Sequence, residues 1–268
     1  MEQCKLDHIV IALSEPRAYD VYQAICGGEP AAHTAADGTA RYTRFYLGDA
    51  MVELAEPIDE PATGPGGELA RRMRRAGPGV HLVCLPVADL APRSAALEAD
   101  GVQLVRSDGH LYVHPRCANG VLVQLTPRRE PGARTPSGDA CLDHVAIRVR
   151  DLEAATRRWE AITGVTAHVM GIHPISGGSF TAARIELGER MVELISPVPG
   201  QPSPLAERLA SHGEGVAAVA LPARDIEATL ARVRAAGARV LRQEPHWMVH
   251  PKDAAGVLIQ LTPRVRHS

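Results

Sequence analysis

Histidines recur in pairs at one spacing: His110-x3-His114 and, 136 residues on, His246-x3-His250. Two imidazoles four residues apart bind a single zinc ion when they lie on a helix. Their surroundings, HLYVHP and HWMVHP, read instead as strands, where four residues span about 13 Å and no single ion bridges the two rings. The other side chains that commonly do chemistry are scattered. Five cysteines (Cys4, Cys26, Cys84, Cys117, Cys141) show no CxxC spacing and are odd in number, which points to free thiols in a reducing cytoplasm. There is no GxSxG elbow, no glycine-rich phosphate loop and no HExxH. The run Arg71, Arg72, Arg74, Arg75 falls on a short helical stretch and reads as a solvated face.

The histidine spacing belongs to a longer repeat. GVLVQLTPR from Gly120 to Arg128 returns as GVLIQLTPR from Gly256 to Arg264, and LDH at Leu6–His8 returns at Leu142–His144. MVEL at Met51–Leu54 returns at Met191–Leu194 with an offset of 140, so an insertion of four residues precedes the second copy. Two copies of one unit lie in tandem. In the first copy LDHIVIAL, ARYTRFYLG and MVELAEP read as strands, with a helix from Pro16 to Ile25 after the first. A short helix, Glu68 to Arg75, leads to a second series: HLVCLPV, a helix from Pro92 to Ala99, then VQLVR, HLYVH and VLVQLTP. The second copy repeats this order; Ile226, Leu230 and Val233 form an apolar helix face closed by Gly237. The Pro/Gly/Ser-rich stretch ahead of Asp139 has the composition of a linker. The expected domains are residues 1–130 and 140–268, joined by 131–139.

Composition limits the function classes. Hydrophobic residues make up 45% and charged residues 22%, and the net charge is −2, which suits a globular chain and argues against a polyanion-binding surface. Lysine occurs only at Lys5 and Lys252, so nearly all positive charge is arginine, the residue suited to bidentate contacts with carboxylate or phosphate. No apolar run has the length of a membrane span, and MEQCKLDH has no signal-peptide character. The expected partner is a small molecule rather than nucleic acid or membrane, and the expected assembly a monomer or a homodimer.

A βαβββ module used in pairs, opening on DH(I/V) and closing on VL(V/I)QL, resembles the vicinal oxygen chelate superfamily of glyoxalases, bleomycin-resistance proteins and extradiol dioxygenases. Within it the second half is most similar to methylmalonyl-CoA epimerase, across MVELISP, SPLAERLASHGEGV, LPARDIEATLARVRAAGARVL and MVHPKDAAGVLIQLTP. The resemblance implies an α+β fold of four βαβββ modules in two tandem glyoxalase-like domains, each a cupped mixed sheet. It also implies a divalent metal held by one residue from each of four strands. The ligand positions fall on His8, Glu53 and Gln124 in the first half and on His144, Glu193 and Gln260 in the second. The family's second histidine falls on Leu82 and Ala218, which cannot bind a metal; His81 stands one residue away and needs a β-bulge to face inward. The base position of the epimerases falls on Arg41 and Thr181, neither of which can act as a general base. Arg41 and Thr181 are then expected to meet substrate, as is Trp247, which reads equally as core or pocket wall. The family's HPK turn assigns His114 and His250 to the turn before proline.

Two functions follow. One is a metal-assisted isomerase or lyase on an activated carbonyl or acyl substrate, with an unidentified proton carrier. The other is a metal-free cup that sequesters a small molecule, as in the bleomycin-resistance branch.

Overall fold

The computed structural model describes residues 4–58, 63–107, 109–127, 138–175 and 177–264. The expected linker lies almost wholly outside the described residues.

Two mixed sheets of eight strands carry the fold, each drawn from one half of the chain. The first half supplies β1 (His8–Ala12), β2 (Ala31–Thr34), β3 (Ala40–Leu47), β4 (Ala50–Pro57), β5 (Gly79–Val87), β6 (Leu104–Ser107), β7 (His110–Val113) and β8 (Val123–Pro127). Their hydrogen-bonded order is β2-β3-β4-β1-β5-β8-β7-β6. The second half supplies β9 (His144–Arg148), β10 (His168–Ile175), β11 (Gly178–Leu187), β12 (Arg190–Pro197), β13 (Gly215–Ala220), β14 (Val240–Gln243), β15 (His246–Val249) and β16 (Leu258–Leu261). Its order repeats the first, β10-β11-β12-β9-β13-β16-β15-β14. Helices α1 (Pro16–Cys26), α2 (Gly64–Ala76) and α3 (Leu90–Ala99) belong to the first half; α4 (Leu152–Thr163), α5 (Pro204–His212) and α6 (Ile226–Ala235) belong to the second.

The helices form at the predicted places, although α2 begins at Gly64 rather than Glu68, and they form for local reasons. Helix α1 begins with Pro16 in its first turn and buries Ala18, Val21, Tyr22, Ile25 and Cys26, an i, i+3, i+4, i+7, i+8 face. Asp151 caps α4 by accepting from Ala154 N–H at 2.9 Å, and Asp225 caps α6 by accepting from Ala228 N–H at 3.0 Å. Strand β2 is absent from the sequence reading: AAHT is exposed at three of its four positions and carries no alternation to detect.

Contacts divide the chain into two compact units, and each takes material from both halves. One comprises Met1–Asp7, Val83–Glu130 and Asp143–Ala218. Here α3 packs on α4, and Arg93 Nη1 donates to the Ala161 carbonyl at 3.1 Å. The other comprises His8–Leu82, Pro131–Leu142 and Val219–Ser268. Here α1 packs on α6, the buried Tyr22 hydroxyl donates to Ala254 O at 3.1 Å, and Arg232 Nε donates to Ala24 O at 3.0 Å.

The repeated glycines that open the last strand of each half have a steric cause. Gly120 has φ +80° and a Cβ there would lie 2.4 Å from Glu214 O; Gly256 has φ +77° and its Cβ would lie 2.6 Å from Pro78 O. Positive φ and backbone approach together exclude a side chain at both places.

Candidate functional site

In the unit that contains β1 to β4, His8 pairs in register with Met51 and Glu53 with Val10. His8 and Glu53 therefore project from the same face of parallel neighbours, offset by one pleat of about 7 Å. Glu53 is 5% exposed. Across the antiparallel β3–β4 ladder it faces Arg44, whose Nε lies 2.5 Å from Glu53 Oε1. Arg44 Nη2 lies 3.0 Å from His33 Nε2, and the His33 ring stacks on Tyr42 at 4.9 Å with 15° between planes. Arg44 can only donate, so His33 Nε2 is the acceptor, and burial and the Arg44 guanidinium lower the His33 pKa against a smaller pull from Glu53.

The other unit repeats the pair. Glu193 is 9% exposed and faces Arg184 in register on β11, with Arg184 Nε 2.9 Å from Glu193 Oε1. His144 leads β9 with its Nδ1 2.6 Å from an Asp143 carboxylate oxygen. Gln124 lies in this unit on β8, opposite Cys84 of β5, and donates from Nε2 to the Tyr112 hydroxyl at 3.1 Å. Gln260 lies in the unit of β16 opposite Met248, a side chain without a hydroxyl.

The remaining candidates lie elsewhere. Arg41 is an odd number of residues from Arg44 and so sits on the opposite face of β3, 3.7 Å from Glu56, beside a 360 Å3 cavity lined by Tyr19, Asp20 and Leu54. Thr181 likewise faces away from Arg184 and donates to Ser196 O at 3.4 Å. Trp247 pairs with Leu261, one residue out of phase with Gln260, and Arg242 lies 4.1 Å over its ring. His114 Nδ1 accepts from Arg116 N–H and His250 Nδ1 from Lys252 N–H, both at 3.2 Å, so each histidine caps the turn after its proline.

Leu82 and Ala218 are buried apolar side chains where the resemblance looks for a histidine. His81 precedes Leu82 on β5 and by strand alternation lies on the opposite face from it. Its Nδ1 is sealed without a partner, and burial beside the Arg72 guanidinium lowers its pKa to about 4. Arg72 is no solvated arginine: it donates to the carbonyls of Gly77 and Val80, and Arg148 makes the equivalent bonds to Gly213 and Val216.

Sequence reasoning missed Arg44 and Arg184. The signal is RFYLG against RIELG, which repeats at the same offset of 140 as MVEL.

A curated relative, the ethylmalonyl-CoA/methylmalonyl-CoA epimerase of Cereibacter sphaeroides, is 34% identical over 130 residues, covering 45% of this chain and 95% of the relative. A model of the glyoxalase/bleomycin resistance protein/dioxygenase superfamily matches residues 143–254. The chain belongs to that superfamily. The human mitochondrial methylmalonyl-CoA epimerase is 31% identical over 129 residues, 72% of its length. Among solved structures, a triple mutant of 4-hydroxymandelate synthase from Streptomyces coelicolor superposes with a TM-score of 0.78 at 16% identity, covering 98% of this chain and 93% of that one. A fusion of a xylose isomerase-like TIM barrel with 4-hydroxyphenylpyruvate dioxygenase superposes with a TM-score of 0.67 at 16% identity, over 98% of this chain and 49% of that one. At these identities the structural likeness shows the fold alone.

A divalent metal, which the superfamily implies, is a poor match to these side chains. Each trio offers one carboxylate, and that carboxylate is already neutralised by a guanidinium that a dication would repel. The second imidazole is replaced by leucine or alanine, and glutamine contributes no charge. Among the described residues, His8 is the one of these candidates that belongs to a group of three His, Cys, Asp or Glu side chains with ligand atoms within 4.8 Å of one another, and that group does not include Glu53.

Proposed function

We propose that this superfamily member works without a bound metal and binds small carboxylated molecules, using a guanidinium held by a buried glutamate as the anion receptor. The domains expected from the repeat, residues 1–130 and 140–268, are the units of descent on which this receptor was duplicated. The observation that carries the reading is the cross-strand arginine–glutamate pair in both halves, at the glutamate that the family would give to a metal. A guanidinium has five N–H donors in a rigid fork. Glutamate takes the Nε edge and fixes the plane. The remaining N–H groups stay within reach of a ligand, since the Arg44 and Arg184 side chains are 36% and 39% exposed. A carboxylate that meets a pre-oriented guanidinium forms charge-assisted bonds without first ordering the long side chain. Five cysteines without disulfides support a reducing compartment, and no helix among the described residues is long and apolar enough to cross a membrane.

A second reading, a metal-assisted isomerase or lyase on an activated acyl substrate, draws on the 34% identity to an acyl-CoA epimerase. Two experiments separate the readings. Calorimetric titration with malonate and benzoate should give saturable binding to the wild-type chain. Replacing Arg44, Glu53, Arg184 and Glu193 together by glutamine should weaken it at least about tenfold, the worth of one charge-assisted contact. Undiminished binding by that variant would overturn the proposal. Deuterium uptake at the α-carbon of methylmalonyl-CoA, dependent on added metal, would establish the second reading instead.

A further inference from the structure

The two arginine–glutamate pairs are not equivalent, and resting on the reading above, we infer that only the first half binds the acid, with His33 as the residue that positions Arg44. Arg44 is held at two edges, by Glu53 at 2.5 Å and by His33 at 3.0 Å. Among the described residues, Arg184 has Glu193 as its one side-chain partner. The place of His33, opposite Tyr42, is taken in the second half by Met170, opposite Ala182. His173, at the repeat offset of 140 from His33, stands opposite Phe180, with ring centroids 5.5 Å apart and planes tilted by 30°, and not beside Arg184. The direct neighbour of Arg184 on β10 is His168, whose side chain is exposed and makes no bond to it.

The flanking residues separate the halves again. Alternation along β3 puts Tyr42 and Tyr46 on the face of Arg44, one on each side. The corresponding neighbours of Arg184 are Ala182, which is buried, and Glu186, which is exposed. An acid approaching Arg44 meets a neutral aromatic border that can cover its hydrocarbon part. An acid approaching Arg184 meets a second carboxylate. Arg44, Glu53 and the two tyrosines sum to zero charge, and Arg184, Glu193, Ala182 and Glu186 sum to minus one. The ligand class is therefore a monocarboxylic acid with an apolar, preferably flat, body, for which benzoate is a fair probe.

Benzoate titration of the 268-residue chain tests this with four variants. Arg44→Gln/Glu53→Gln, which removes both charges together and leaves no buried ion unpaired, should raise the Kd at least about tenfold. Arg184→Gln/Glu193→Gln should leave it unchanged. His33→Ala should weaken binding severalfold, and His33→Gln, which restores an acceptor for Arg44, should recover most of it; a merely structural loss would not be rescued so. Loss of binding in the second-half variant, or wild-type affinity in His33→Ala, would overturn this inference and leave the proposed function standing. Wild-type affinity in both paired variants would overturn the two together.

Discussion

An Arg44→Ala chain should be about 3 kcal/mol less stable than wild type, whereas Arg44→Gln/Glu53→Gln should lie within about 1 kcal/mol of it. The Glu53 side chain is 7% exposed, and its cation is Arg44 at 2.5 Å on the neighbouring strand. Removing the arginine strands a carboxylate away from water, a loss of about 3–5 kcal/mol in a fully buried pair. Arg44 is itself 36% exposed, so solvent reaches the vacated place and the lower end of that range applies. Changing both residues removes the ionic interaction and the cost of desolvating it together. Chemical denaturation of the three proteins measures the difference. In a thermal scan the single variant should melt about 6–10 °C below wild type. An Arg44→Ala chain as stable as wild type would mean that the pair is loose and that Glu53 is available to other partners.

Acid should weaken the fold through His81. Its Nδ1 is sealed, and burial together with the Arg72 guanidinium lowers its pKa from 6.5 to about 4. The sign follows from proton uptake. Above pH 6.5 the imidazole is neutral in both folded and unfolded chains and contributes no pH dependence. Below it the unfolded chain takes up a proton that the folded chain refuses, so stability falls as the pH drops towards 4. A gap of that size corresponds to about 3 kcal/mol over the whole window. Carboxylates contribute their own acid dependence, so the quantity to read is the difference between wild type and His81→Leu at each pH. That difference should be flat above pH 6.5 and should shift in favour of the variant below it. Parallel pH profiles would show that His81 reaches solvent and titrates normally.

Much of this molecule is legible in its sequence because it is written twice. The near-identity of GVLVQLTPR and GVLIQLTPR fixes β8 and β16, and MVEL fixes β4 and β12. The capping aspartates and apolar faces of α4 and α6 are local signals that survive without any tertiary information. Strand β2 was hidden because an exposed edge strand needs no apolar alternation, and its pairing with β3 is a property of the backbone. The compact units were hidden as well. The packing of α1 on α6 joins residues some two hundred positions apart, and neither helix carries a local mark of its partner.

The candidate site was half legible for a related reason. Residue types recurring in both copies pointed to Glu53 and Glu193, and both proved to be buried charged groups. Their partners depend on which residue of β3 or β11 stands across the ladder, and that is decided by register. The base position implied by the resemblance led to Arg41 and Thr181, which lie on the other face of their strands. Three residues further on, Arg44 and Arg184 carry the charge that changes the chemistry expected of the glutamates. That Met170 and not His173 takes the place of His33 is likewise invisible in sequence, because the pairing register of β10 decides it.

The central claim is that Glu53 and Glu193 serve arginines and not a metal. Its most direct test is metal content by inductively coupled plasma mass spectrometry after equilibration with manganese, cobalt, nickel and zinc. The protein should carry no histidine tag, and the Glu53→Gln/Glu193→Gln variant should be measured beside it. The account predicts far less than one metal per chain in both proteins, with no difference between them. Near-stoichiometric metal in the wild type that disappears in the variant would contradict it.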